Sequence, residues 1–338
     1  MMNNQELKHL AERLMSNNKG ILAMDESTGT CDKRFKALGI PQTEEYRRKY
    51  RQMIVTTPQL EESISGAILF DETLHQQTDD GQSFLTILKQ KDIIAGIKVD
   101  QGTIPLSFFP GETITEGLDG LTNRMTNYYQ MGLRFAKWRA VIHIDSALPT
   151  KTCIAANAYT LARYAAICQE AGIVPIVEPE VLMDGSHTME RCAAVTQDVL
   201  KEVFNALYEQ KVFLEGMILK PNMVLPGLAC PEQNDTETIA YETISCFLKV
   251  VPAAIGGIAF LSGGQSPLLA SERLNMMQLR YGSIMPWPLT FSFSRAIQQP
   301  ALEIWKGDDK NVAAAQEALA HRAAGNRAAR LAEYNPAS

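Results

Sequence analysis

Eight short apolar, β-rich runs recur along this 338-residue chain, with starts separated by roughly 30 to 45 residues. They are Gly20–Asp25, Ile64–Phe70, Ala95–Val99, Phe135–Ile144, Ile173–Glu180, Phe213–Lys220, Ile255–Ser262 and Leu289–Ser294. Helical stretches such as Ala155–Ala171 and Glu190–Gln210 separate them. Strands that alternate with long crossovers must run parallel, because an antiparallel pair needs only a tight hairpin. Eight such units favour an α/β fold of the TIM (β/α)8 barrel type over an open doubly wound sheet. The open-sheet reading would also want GxGxxG after the first strand, and none stands there. No linker, low-complexity tract or repeat divides the chain, so residues 1–338 read as one barrel domain. An N-terminal helix over MMNNQELKHLAERL precedes it. An Ala- and Arg-rich helix over Asn311–Ala332 and a short frayed tail, Tyr334-Asn-Pro-Ala-Ser, end it.

Composition removes several function classes. Lys and Arg number 32 against 38 Asp and Glu, a net charge of −6, which argues against general nucleic-acid binding. No apolar run approaches the roughly 20 residues of a membrane span, and the start lacks the apolar core of a signal peptide. The six cysteines (31, 153, 168, 192, 230 and 246) are widely spaced without CxxC, as expected of free thiols in a reducing, cytoplasmic setting. The five histidines form no HExxH or HxH, so no spacing announces a metal site.

In a barrel of this type the chemistry gathers at the C-terminal ends of the strands. Those ends carry Asp25, Lys98, Lys137 with Arg139, Glu178 with Glu180, Lys220, Ser262-Gly263-Gly264, and Ser292 with Arg295. Period-two alternation puts Lys137 and Arg139 on one face of their strand, and Glu178 and Glu180 on one face of theirs. A single charge at a strand end is as readily a solvated loop edge. Several acids and bases together are costly to bury unless they pair or bind something. The cations suit a doubly anionic ligand, and the acids suit proton transfer.

Lys220 follows Met217-Ile218-Leu219 and precedes a proline. Apolar neighbours and nearby cations both disfavour the ammonium, so a lowered pKa is expected. A neutral amine attacks a ketone to give a Schiff base. The alternative, an ion pair with Glu178 or Glu180, is compatible, since the acid would then shuttle the proton. Ser262-Gly263-Gly264 falls after the seventh strand, where barrels bind phosphate. Taken alone it reads more readily as a plain turn, and Arg295 strengthens the anion reading.

The segments GILAMDESTGT, GIKVDQG, FAKWR, IVPIVEPE, LKPNMV and FLSGGQS, in this order, resemble class I fructose-bisphosphate aldolase from about Ile21 to Ala332. AMDEST and TCDKR are most similar to the plant-plastid and cyanobacterial branch. The resemblance implies reversible cleavage of fructose 1,6-bisphosphate to dihydroxyacetone phosphate and glyceraldehyde 3-phosphate. It implies no metal and no organic cofactor. Glycolysis, gluconeogenesis or the Calvin cycle would be the setting, with sedoheptulose 1,7-bisphosphate as an alternative co-substrate. By motif, Lys220 matches the Schiff-base lysine, Glu178 the general acid/base, and Asp25 the acid near the C4 hydroxyl. Lys137, Arg139 and Lys98 match charge-holding and orienting groups, and Glu180 a supporting carboxylate. Ser262, Gly263, Gly264, Ser292 and Arg295 match one phosphate site. Ser27, Lys33 and Arg34 match contacts around the other, with Arg47 a looser match. A homotetramer is also implied, with a sugar bisphosphate as partner and neither nucleic acid nor membrane.

The family's tail usually ends in a tyrosine that assists catalysis. Tyr334 is not terminal and receives no such role. Two other readings remain beside the aldolase: another lysine-dependent barrel lyase such as a transaldolase, and a barrel that binds sugar phosphates without turnover. Cys31 is a candidate for redox control by its position near Asp25 alone.

Overall fold

The computed structural model describes residues 4–16 and 18–336. Its strands are β1 (Gly20–Ala23), β2 (Ile64–Leu69), β3 (Ile94–Lys98), β4 (Thr103–Pro105), β5 (Thr113–Thr115), β6 (Phe135–Ile142), β7 (Val174–Val181), β8 (Ile218–Leu219), β9 (Gly257–Phe260) and β10 (Leu289–Phe291). Eight of them form one sheet in the order β1-β2-β3-β6-β7-β8-β9-β10, every neighbouring pair parallel. The first and last strands meet where Ala23 N donates to Phe293 O at 3.3 Å, which brings the sheet round into a nearly closed barrel. This is the (β/α)8 architecture expected from the eight repeats.

The helices are α1 (Asn4–Leu14), α2 (Thr28–Ala37), α3 (Glu44–Val55), α4 (Asp71–Leu74), α5 (Phe84–Gln90), α6 (Leu121–Gln130), α7 (Lys151–Glu170), α8 (Met189–Glu209), α9 (Thr236–Val250), α10 (Pro267–Tyr281), α11 (Arg295–Trp305) and α12 (Val312–Arg330). Many start at a Ser, Thr or Asp whose side chain accepts from the amide three residues on, including Ser27, Thr150, Thr188, Asp235 and Ser266.

Alternation sorts the strand residues into two layers. Ile21, Ile68, Phe135, Val174, Ile176, Ile218 and Ala259 fill the barrel interior, while their sequence neighbours pack outward against the helices. Space for the Phe135 ring exists because Gly96 faces it; a Cβ there would lie 2.3 Å from the ring. Leu7, Leu10, Leu14 and Met15 join the same interior cluster, so α1 stoppers the N-terminal end of the barrel. The opposite end is left to polar side chains.

Several details differ from the sequence reading. The sixth run was expected as a strand over Phe213–Lys220, but only Ile218–Leu219 pairs, because Leu214–Gly216 coils into a 3-10 turn. Lys220 nevertheless continues the ladder, its N–H donating to Val177 O at 2.8 Å. The seventh and eighth runs are shorter than expected, and β4 with β5 forms an antiparallel hairpin that carried no alternation signal. Of the expected frayed tail, Tyr334 is tied to α10, its N–H donating to Asn275 Oδ1 at 3.0 Å. Ala337 and Ser338, like Met1 to Asn3 of the N-terminal helix, lie outside the described residues.

Candidate active site

The ends of β1, β6, β7 and β8 bring four charged side chains into one line of contact. Lys220 Nζ stands 3.1 Å from Glu178 Oε1. Glu178 Oε2 stands 3.2 Å from Lys137 Nζ, which lies 2.7 Å from Asp25 Oδ2. All four residues are buried. The local reason is register: β6 and β7 pair with Arg139 opposite Glu178, so the inward-facing residues of the two strands interleave. The expected ion pair between Lys220 and an acid of the neighbouring strand is present, and its acid is Glu178.

Burying four charges is tolerable only because they alternate in sign. Burial pushes the Asp25 carboxyl up, but Lys137, Lys220 and Lys98 outweigh it and hold Asp25 at about 2. Burial likewise favours neutral Lys137, and Asp25 with Glu178 reverses this, raising it above the ordinary lysine value. Glu180 is different. Burial raises its carboxyl pKa above the usual range despite Arg139, whose Nε lies 2.6 Å away. The line therefore holds acid and amine side chains in direct reach, a geometry suited to passing protons between a nucleophilic amine and a substrate hydroxyl.

Lys98, at the end of β3, is 2.7 Å from Asp100 Oδ1. The other oxygen of Asp100, two residues past β3, accepts from Arg139 N at 3.4 Å, so this carboxylate joins β3 to β6, a role that no pattern around it signals.

The two groups read as anion contacts lie after β9 and β10 and at the start of α2. After β9, Gly263 and Gly264 take left-handed backbone angles (φ 58° and 94°) that favour glycine. The Arg295 guanidinium lies against Gly264, and Ser292 carries a buried hydroxyl without a hydrogen-bond partner among the described residues. Arg295 is exposed and makes no ion pair among the described residues. At the start of α2, Ser27 caps the helix and Lys33 is exposed. Arg34 Nη1 donates to Glu26 Oε1 at 2.6 Å and Arg34 Nη2 to Ser294 Oγ at 3.2 Å. The same carboxylate is held by Arg51, which also donates to Glu26 O at 3.0 Å. Glu26 and Arg51 went unnoticed in the sequence because their partner lies 25 residues away.

Arg47 is placed differently. Its guanidinium is taken up by Glu72 (2.7 Å) and Asp32 (3.0 Å), leaving it no free fork for a phosphate. Arg47→Met is expected to cost ~2 kcal/mol of stability and leave KM for substrate unchanged, as thermal unfolding and initial rates would show. Cys31 is 1% exposed, and burial pushes its thiol up to about 11, so it lacks the thiolate character of a redox sensor.

Comparison with known proteins identifies the family. The family described as "Fructose-bisphosphate aldolase class-I" matches residues 6–338. The "Probable fructose-bisphosphate aldolase class 1" of Xanthomonas campestris pv. campestris is 51% identical over 334 residues, covering 98% of this chain and 99% of that protein. "Fructose-bisphosphate aldolase C-B" of Danio rerio is 47% identical, covering 98% of this chain and 91% of that protein. Among solved structures, the fructose-bisphosphate aldolase of Plasmodium falciparum, in a ternary complex with TRAP and a small-molecule inhibitor, superposes with a TM-score of 0.96. That pair shares 46% identity, with 98% of this chain and 96% of the other covered. Fold, family match and relatives converge: the chain belongs to the class I fructose-bisphosphate aldolases, lyases whose reaction is the aldol cleavage of fructose 1,6-bisphosphate.

Proposed function

We propose that this chain cleaves fructose 1,6-bisphosphate through a Schiff base on Lys220. The line of contacts Lys220–Glu178–Lys137–Asp25 carries the reading. The Lys220 amine adds to the C2 ketone, and the carbinolamine loses water with its proton supplied by Glu178. The resulting iminium accepts the electron pair of the C3–C4 bond. Asp25 takes the proton of the C4 hydroxyl, glyceraldehyde 3-phosphate leaves, and the enamine remains on Lys220. Protonation at C3 and addition of water release dihydroxyacetone phosphate and return the amine. Lys137, buried between the two carboxyl groups, keeps Asp25 ionised and orients both side chains; Lys98, Arg139 and Glu180 orient the sugar. Ser262, Gly263, Gly264, Ser292 and Arg295 take one phosphate, and Ser27, Lys33 and Arg34 the other. Binding at both ends fixes the reacting carbons between them.

Sedoheptulose 1,7-bisphosphate offers the same ketone and the same two terminal phosphates, so we assign it as a second substrate, consistent with a role in the Calvin cycle as well as glycolysis. Among the described residues no helix is long and apolar enough to cross a membrane. We place the enzyme in the cytoplasm as a homotetramer, which a mass measurement in solution checks. Purified enzyme is expected to cleave fructose 1,6-bisphosphate at an undiminished rate in EDTA. Loss of activity with the chelator, or turnover confined to transaldolase substrates, would overturn the reading. Comparing kcat/KM for the two bisphosphates tests the second substrate.

A further inference from the structure

A buried arginine normally carries a carboxylate with it, because an unpaired charge is costly to remove from water. Arg273 on α10 is buried without one. Its Nη1 donates to Gln265 Oε1 at 2.7 Å, and its buried Nε has no hydrogen-bond partner among the described residues. No carboxylate of the described residues lies within ion-pair distance of it, and Glu272, its chain neighbour, acts only from further off. Burial accordingly lowers its pKa to about 10.

What Arg273 touches belongs to the anion-binding turn. Gln265 is itself buried, and its Nε2 donates to Ser262 O at 3.1 Å while its backbone N–H donates to the same oxygen at 2.9 Å. A guanidinium only donates. By claiming Oε1 it determines that the amide nitrogen, and not the oxygen, faces Ser262 O. The turn over Ser262 to Gln265 is thereby closed in the form that gives Gly263 and Gly264 their left-handed angles. A second buried arginine, Arg322 on α12, braces the same region from outside. Its Nη2 donates to Pro267 O at 2.6 Å and its Nε to Ala296 O at 3.3 Å, joining the starts of α10 and α11, where Arg295 sits.

We propose that Arg273 is a positioning residue for the phosphate subsite at Ser262–Gly264: it fixes that turn through Gln265 and adds an unneutralised positive charge behind it. The inference rests on reading the turn as a phosphate subsite. An apolar side chain could fill the position without the cost of an unpaired charge, and a chain of net charge −6 has no general attraction for a bisphosphate. The charge behind the turn supplies it locally.

The test compares full-length Arg273→Met, Arg273→Lys and Gln265→Met with wild type, using fructose 1,6-bisphosphate as substrate and inorganic phosphate as inhibitor. Arg273→Met is expected to raise KM and the phosphate inhibition constant about 10-fold, with kcat within about twofold. Arg273→Lys is expected to recover most of the loss, and Gln265→Met to raise KM about fivefold. A lowered melting temperature with unchanged KM and unchanged phosphate inhibition would overturn the proposal. If Arg273→Met does not fold, the other two variants decide: wild-type KM in Gln265→Met overturns it. Arg295→Ala separates the two levels of the argument. Raised KM in Arg295→Ala with wild-type KM in Arg273→Met sinks the positioning role alone, whereas wild-type KM in both sinks the phosphate reading of the turn.

Discussion

Replacing Lys220 with Met is expected to lower kcat for fructose 1,6-bisphosphate cleavage by about 10⁴-fold or more, the scale seen when a covalent nucleophile is removed. Met fills the volume of the lysine stem and retains no amine. Lys220 stands 3% exposed at the end of a two-residue strand, held by its own N–H to Val177 O at 2.8 Å. The backbone at this position therefore survives the substitution, and the effect isolates the amine. Removing it leaves Glu178 with Lys137 as its remaining ion-pair partner, 3.2 Å away. Residual activity within about 10-fold of wild type, in steady-state assays with coupled detection of triose phosphate, would exclude Lys220 as the nucleophile.

Glu178→Gln is expected to lower kcat by about 10²- to 10⁴-fold, the range for loss of a general acid/base. Glu178 is the one carboxylate in contact with both lysines of the line, Lys220 at 3.1 Å and Lys137 at 3.2 Å. Glutamine keeps the shape but neither the charge nor a transferable proton, so Lys220 loses its only ion-pair partner among the described residues. KM is expected to stay within about fivefold, since the phosphate contacts lie on other loops. Breaking the buried pair is also expected to cost about 3 kcal/mol of stability, visible as an earlier denaturation midpoint. A Glu178→Gln enzyme with kcat within threefold of wild type would assign the proton transfers elsewhere.

The sequence revealed the parts of this molecule that rest on periodicity. Parallel strands buried on both faces read as continuous apolar runs, which is why β2 stands out without an alignment, and β6 and β7 depart from that pattern only at their charged residues. Period two placed Lys137 with Arg139 and Glu178 with Glu180, and the contacts between those strands follow that arrangement. What stayed hidden depends on partners far apart in the chain. Nothing near Arg47 signals that Glu72 and Asp32 occupy its guanidinium, and nothing near Glu26 signals Arg51. The hairpin of β4 and β5 is short, and β4 is exposed, so it leaves no hydrophobic pattern. β8 is cut short by the 3-10 turn over Leu214–Gly216, and at Gly216 a Cβ would come within 2.8 Å of Leu7 on α1. That close approach is invisible until the N-terminal helix is in place. The net charge of −6 is similarly uninformative about the site, because Lys98, Lys137, Arg139 and Lys220 converge there from three separate strands.

The central claim is that Lys220 forms a covalent imine with the substrate ketone, and borohydride trapping tests it most directly. Enzyme mixed with fructose 1,6-bisphosphate and reduced with sodium borohydride is expected to lose activity irreversibly. Peptide mapping is then expected to find one stable sugar-phosphate adduct, on the peptide carrying Lys220. No adduct under turnover conditions, or an adduct confined to another lysine such as Lys137, would contradict the account.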